Sequence, residues 1–197
     1  MYYKRLFNKK LLHVSRFFPV VILSGARQSG KTTLIKKTFA KYNYVSLDLP
    51  SKAEQAEKNP DDFLKENPPP LVIDEVQYAP GLFRYLKIFA DNNRHAMGQL
   101  ILTGSQKFSL MKNISESLAG RCVLLELENL AYDEIVADNS AEQKQDSLLY
   151  LMTRGQFPEL WRVPDMPAPD FYGSYLATYL ERDVRELLNV ISLRDFE

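Results

Sequence analysis

Gly25-Ala26-Arg27-Gln28-Ser29-Gly30-Lys31-Thr32 matches G-x-x-x-x-G-K-[ST] without a mismatch. Each residue type has a use at that spacing. Gly25 and Gly30 let the backbone curl so that its amides point inward at phosphate oxygens. A helix starting after the loop offers its positive N-terminal end to the same anion. Lys31 reaches the β- and γ-phosphates, and Thr32 supplies a hydroxyl to Mg²⁺. The nucleotide-contacting stretch is expected to run from Gly25 through Thr33. Arg27 is a candidate for binding phosphate or orienting the loop, with a solvent-exposed role as the alternative.

A second constellation follows in Leu71-Val72-Ile73-Asp74-Glu75, an apolar run ending in two carboxylates. Strand ends in parallel sheets open onto the ligand crevice. There Asp74 is placed to hold Mg²⁺ through a water while Thr32 binds it directly. Glu75 is placed to polarise the attacking water as a general base. Leu102-Thr103-Gly104-Ser105 ends another apolar run. Ser105 or Thr103 is a candidate to position the water or sense the γ-phosphate, against an ordinary glycine turn as the alternative. Arg121 precedes the run CVLLEL. It is a candidate to reach a neighbouring subunit's nucleotide and stabilise transition-state charge, with a surface arginine as the alternative.

The elements needed to hold these residues are legible. Tyr3, Phe7, Leu11, Val14 and Phe18 are spaced by 4, 4, 3 and 4, which predicts an amphipathic helix over 3–18, ended by Pro19. VVILS (20–24) predicts a strand buried on both faces. A helix is expected from Lys31 to Ala40, with Leu34, Ile35, Thr38 and Phe39 inward. Further strands are expected at 44–49, 71–74, 99–105 and 122–127. The 50–70 connection is polar, with a short helix near 60–66. Leu82, Leu86 and Phe89 mark another helix, and helical material is expected at 109–119. Strands alternating with helices argue for a parallel sheet covered on both faces. Beyond residue 130 the strand signal stops. Helices are expected at 131–138, 143–154 and 170–190, the last with Phe171, Tyr175, Tyr179 and Leu187 on one stripe. The prolines of 161–169 predict a loop. The expected organisation is an α/β core over 1–130 and a helical appendage over 131–197.

Composition limits the classes. The 197 residues suit one domain, or one with an appendage, at about 150 residues per domain. At 45% hydrophobic and 25% charged the chain is ordinary for a globular protein. Net charge is zero, yet residues 1–47 hold ten of the 25 basic residues and none of the 25 acidic ones. That bias suggests an N-terminal part that binds anions, or a solvated basic helix face. DNA is a candidate partner through Lys4, Arg5, Lys9, Lys10 and Arg16, although no zinc finger or helix-turn-helix is recognisable. Cys122 is the only cysteine, so no intramolecular disulfide forms, and a reducing, cytoplasmic setting is expected. No apolar run is long enough to span a membrane. His13 and His95 are isolated and offer no metal constellation. The only Asn-Lys, in Asn8-Lys9-Lys10-Leu11, lies at the wrong end and lacks the aspartate of N-K-x-D, which favours ATP over GTP, and no L-S-G-G-Q signature occurs.

GARQSGKTTL (25–34), LVIDEVQYAPGLFRYLK (71–87), ILTGSQKFSLMKNISESLAGR (101–121), GQFPEL (155–160) and YLERDVREL (179–187) resemble the AAA-type domain of a large group of prokaryotic predicted ATPases. The resemblance implies an α/β P-loop NTPase fold of the AAA+ kind, with a five-stranded parallel sheet ordered 5-1-4-3-2 between helices. It implies ATP and Mg²⁺ as ligands. Carried over by position, Lys31 and Thr32 serve phosphate and metal, Asp74 and Glu75 form the acidic pair, and Ser105 is the sensor. It also implies a further C-terminal domain, sometimes likened to a nuclease fold, so the chain is expected to be an ATPase core and helical lid from a longer protein. Arg154, Arg182 and Arg185 are candidates to act from that lid, although the ERD trio at 181–183 also fits helix-surface ion pairs.

Three functions compete at this stage. The leading one is Mg²⁺-dependent hydrolysis of ATP to ADP and phosphate, coupled to movement of the helical region. The second is a nucleotide-gated regulatory or DNA-associated module with negligible turnover, which has no need of Glu75. The third, a phosphoryl transferase, lacks an identifiable acceptor site. A homo-oligomer sharing Arg121 between subunits is expected under the first.

Overall fold

A computed structural model describes residues 2–105, 114, 117–138 and 148–180. The chain forms two compact units, one of Lys4–Asn129 and the other of Met1–Tyr3 with Leu130–Glu197.

The first unit is built on five parallel strands: β1 (Val20–Ser24), β2 (Asn43–Ser46), β3 (Leu71–Asp74), β4 (Leu100–Gly104) and β5 (Cys122–Glu126). Their order is β2-β3-β4-β1-β5, which is the expected 5-1-4-3-2 read from the other edge. β1 lies inside the sheet between β4 and β5, and every residue in it is buried. Its side chains alternate between two cores, as the period of two requires. Val20 and Ile22 join Leu71, Ile73, Leu100 and Leu102 on one face. Val21 and Leu23 join Val72 and Ile101 on the other.

Helices α1 (Phe7–Val14) and α2 (Lys31–Thr38) supply the second face through Leu11, Leu34 and Ile35. Helices α3 (Pro50–Lys58), α4 (Pro60–Glu66) and α5 (Leu82–Asn92) supply the first face through Ala56, Phe63, Leu82, Phe83 and Leu86. Proline starts both α3 and α4, where its missing N–H costs nothing. The sequence anticipates α4 but not α3, whose polar residues bury only Ala56.

Several predicted elements are shorter than expected, α1 and β2 among them. α1 begins at Phe7 rather than Tyr3 because residues 3–6 have other uses: Tyr3 belongs to the second unit and Arg5 is buried in the first. β2 ends at Ser46, where the Ser46 hydroxyl accepts from the Asp48 amide and turns the chain. The helical material expected at 109–119 lies largely outside the described residues.

In the second unit the described helices are Tyr132–Asp138, Leu148–Arg154, Pro158–Arg162 and Ala168–Tyr175, the last continuing into a π-helical stretch at Leu176–Leu180. Trp161 and Arg162 are helical although prolines flank them, because Pro158 sits at the helix start rather than inside it. The core gathers Tyr3, Leu130, Ile135, Phe157, Leu160 and Trp161. The Tyr3 hydroxyl donates to the Trp161 carbonyl at 2.9 Å. The expected helical stretches 143–147 and 181–190 lie outside the described residues. Among the described residues, no helix is long and apolar enough to cross a membrane.

Candidate functional site

Three strand ends converge. β4 lies between β1 and β3, so Thr103 to Ser105 emerge between the loop after β1 and the carboxylates after β3. This is the crevice at which parallel sheets bind ligands.

The loop after β1 is bent tightly. Gly25 has φ +149°, and a Cβ there would lie 2.4 Å from the Leu127 carbonyl oxygen. Gln28 (φ 61°) occupies the left-handed region, and so does Gly30 (φ 93°), which directly precedes α2. Left-handed geometry in a non-glycine residue costs about 1–3 kcal/mol and concentrates at functional sites. Ala26, Gln28 and Thr33 are exposed, Arg27 and Thr32 are half-buried, and Ser29 is fully buried.

Lys31 is 5% exposed, and its Nζ donates to the carbonyls of Gly25 and Ala26, both at 2.8 Å. Burial holds its pKa below the ordinary lysine value. Glu75 and Asp74 pull it back up, and Arg27 adds to the depression. Thr32 Oγ1 donates to Asp74 Oδ2 at 2.9 Å. The first metal candidate therefore touches the second.

Asp74 is 2% exposed and accepts two further hydroxyls, from Tyr44 to Oδ2 at 2.6 Å and from Thr103 to Oδ1. Burial, followed by the Asp74 hydrogen bond and charge, raises the Tyr44 pKa, so the phenol stays protonated as a donor. Lys36 lies over the Tyr44 ring at 4.1 Å from its centroid. Asp48 feels the same field: burial first, then the charges of Glu75 and Asp74, raise its pKa.

Glu75 also adopts left-handed geometry, with φ 56° and ψ 50°. Its N–H donates to Thr103 Oγ1 at 3.1 Å. Its Oε2 accepts from Gln77 Nε2 at 2.5 Å, the Ser105 amide at 3.2 Å and the Ser105 hydroxyl at 3.0 Å. Glu75 and Ser105, both expected from the sequence, are thus bonded to each other.

Arg121 is not brought to this group. Cys122 pairs with Val20, so Arg121 sits where β1 begins, roughly 13 Å along the strand from the loop end. Its guanidinium bonds both Asp91 oxygens, at 2.6 and 3.1 Å, and the Ala119 carbonyl at 3.0 Å.

Two arginines have roles different from those expected. Arg5, expected among cations facing DNA, is 6% exposed and donates to the carbonyls of Ser29 (2.8 Å), Glu128 (2.6 Å) and Asn129 (3.0 Å). It secures the phosphate loop to the chain leaving β5, and the exposed cations reduce to Lys4, Lys9, Lys10 and Arg16. Arg154, a lid candidate, is buried and caps the carbonyls of Leu160 (2.5 Å), Val163 (3.0 Å) and Pro164 (2.7 Å) within its own unit. Arg182 and Arg185 lie outside the described residues. His13 and His95 are exposed, and no metal-ligating cluster of His, Cys, Asp and Glu occurs among the described residues.

Tyr44, Gln77 and the anchoring role of Arg5 were missed in the sequence. Gln77 had one available signal, its place two residues after Glu75. Tyr44 had none, because its reach to Asp74 depends on β2 pairing with β3.

Comparison with known proteins agrees with this architecture. The chain is 33% identical over 180 residues to uncharacterized protein Mb2031c of Mycobacterium bovis, and equally to uncharacterized protein Rv2008c of Mycobacterium tuberculosis. Each match covers 86% of this chain and 37% of the relative, so the chain spans little more than a third of those proteins. AMPPCP-bound DnaA from Aquifex aeolicus shares the fold, with TM-score 0.52 and 14% identity, over 92% of this chain and 62% of that one. Residues 18–136 match the AAA domain family. That span holds the whole sheet, the phosphate loop and the acidic pair, and the chain belongs to the AAA domain family of P-loop ATPases.

Proposed function

We propose that this domain binds ATP with Mg²⁺ and hydrolyses it to ADP and phosphate. The observation that carries the reading is the convergence of Lys31, Thr32, Asp74, Glu75 and Ser105 on the ends of β1, β3 and β4. The loop amides and Lys31 cradle the phosphates. Lys31 exchanges its two carbonyl partners for phosphate oxygens, which repay the burial of its charge. Thr32 and Asp74 would hold Mg²⁺; their hydroxyl and carboxylate oxygens are the hard donors that ion takes. When bound, the ion neutralises charge on the phosphate oxygens.

Glu75 takes a proton from the attacking water as its oxygen bonds to the γ-phosphorus. The bond to the bridging oxygen breaks, and ADP leaves with the electron pair. Ser105 lies beside both base and phosphate in this reading and orients the transferred group. Arg121, at the strand ends opposite the loop, acts only on a neighbouring subunit's nucleotide. Turnover coupled to movement of the helical unit completes the proposal.

Phosphate release by the wild type and by Glu75→Gln, with ATP affinity measured in parallel, tests it. The expected outcome is unchanged affinity and a kcat lower by about 10²–10⁴-fold. Equal, negligible release from both proteins with ATP still bound would leave the nucleotide-gated module as the function.

A further inference from the structure

We infer that Gln77 is a positioning residue for the water-activating carboxylate, holding Glu75 Oε2 while Ser105 exchanges its hydroxyl bond for one to the phosphate. The inference rests on the hydrolase reading of this site.

Gln77 is 6% exposed and lies in the 3₁₀ turn Val76–Tyr78 directly after Glu75. Its Nε2 makes the shortest of the three bonds to Glu75 Oε2, at 2.5 Å, and stands 3.4 Å from Ser105 Oγ. Its Oε1 has no donor among the described residues. A glutamine buried only to fill space would satisfy both ends of its amide. This one is oriented through its Nε2 end, by Glu75 Oε2 and, at the longer 3.4 Å, by Ser105 Oγ.

The geometry around Glu75 makes such a partner necessary. The residue is in left-handed backbone geometry, which its own conformational preference opposes. Its Thr103 bond holds the main chain and leaves the side chain free to rotate. The carboxylate is then held by Ser105 and Gln77. A serine hydroxyl has one proton to donate. When Ser105 Oγ turns that proton to a phosphate oxygen, Glu75 Oε2 loses one of its three donors. The Gln77 amide and the Ser105 N–H keep it aimed. Gln77 thereby lets one serine serve both phosphate and base without releasing the base.

The test compares steady-state ATP hydrolysis by wild type, Gln77→Met, Glu75→Gln and the double variant, with thermal midpoints recorded for each. Methionine keeps the side-chain length and removes the donor. The expected result is a kcat lower by about ten- to a hundred-fold in Gln77→Met, with KM and thermal midpoint unchanged. In the Glu75→Gln background the same substitution should add no further loss, since the carboxylate it positions is gone. Gln77→Glu, the same shape with a charge repelling Glu75, should lower kcat at least as far. An active wild type with Gln77→Met at wild-type kcat overturns the inference and leaves the hydrolase reading intact. So does an equal loss with and without Glu75. A wild type that binds ATP and releases no phosphate overturns both.

Discussion

At the scale of single residues, the loop is shaped by what cannot be present as much as by what is. Gly25→Ala would drive a Cβ to within 2.4 Å of the Leu127 carbonyl oxygen, in a backbone region alanine avoids. Nucleotide affinity should fall at least tenfold while the sheet stays folded, read by titration with a fluorescent ATP analogue alongside circular dichroism. Lys31 supplies a pH test. Burial holds its pKa below 10.5, and bound phosphate raises it, so binding takes up a proton at alkaline pH. ATP affinity should therefore decline as pH rises while still below the ordinary lysine range. An affinity flat up to that range would show that the ammonium is not a phosphate ligand. Arg5 carries a third expectation. Arg5→Met leaves three carbonyls of the loop and the β5 exit without their donor. It should lower the thermal midpoint and weaken nucleotide binding together, whereas Lys9→Met on the exposed face of α1 should change neither.

At the scale of elements, burial decides reactivity and stability. Cys122 opens β5, and burial pushes its thiol up to about 11. It should stay unmodified by thiol reagents at neutral pH and react on denaturation, which a colorimetric thiol count in both states would show. Phe63 on α4 is fully buried against the first face of the sheet. Phe63→Ala should cost about 3–5 kcal/mol in denaturant unfolding. The strands were the most legible elements, because β1, β3 and β4 are apolar on both faces and bounded by proline or glycine. α3 was not legible, because one buried alanine leaves no apolar period to detect. α1 was read too long, because Tyr3 shares its spacing and serves another core.

At the scale of the whole molecule, Arg121 separates a single chain from an assembly. It lies at the strand ends opposite its own phosphate loop and is paired with Asp91, whose carboxyl that pair holds below its usual range. If a neighbour's nucleotide is its target, ATP turnover per chain should rise with protein concentration as mass increases. Arg121→Ala should then lower that assembled rate by about 10³-fold or more without changing ATP affinity. Turnover independent of concentration and unaffected by the substitution would return Arg121 to a structural ion pair.

The phosphate loop and the acidic pair were readable from residue order alone. Their chemistry is carried by consecutive residues, and backbone torsions with one following helix are enough to present them. The strand order came through resemblance, and burial on both faces made β1, β3 and β4 visible in isolation. What joined Tyr44 to Asp74 and Ser105 to Glu75 was the sheet. Each pair is 30 residues apart in the chain, and its members meet because β2 and β4 flank β3. Local sequence dictates which groups exist and how the backbone bends around them. The tertiary fold alone decides which donor each buried carboxylate meets, because that depends on the register of strands far apart in the chain.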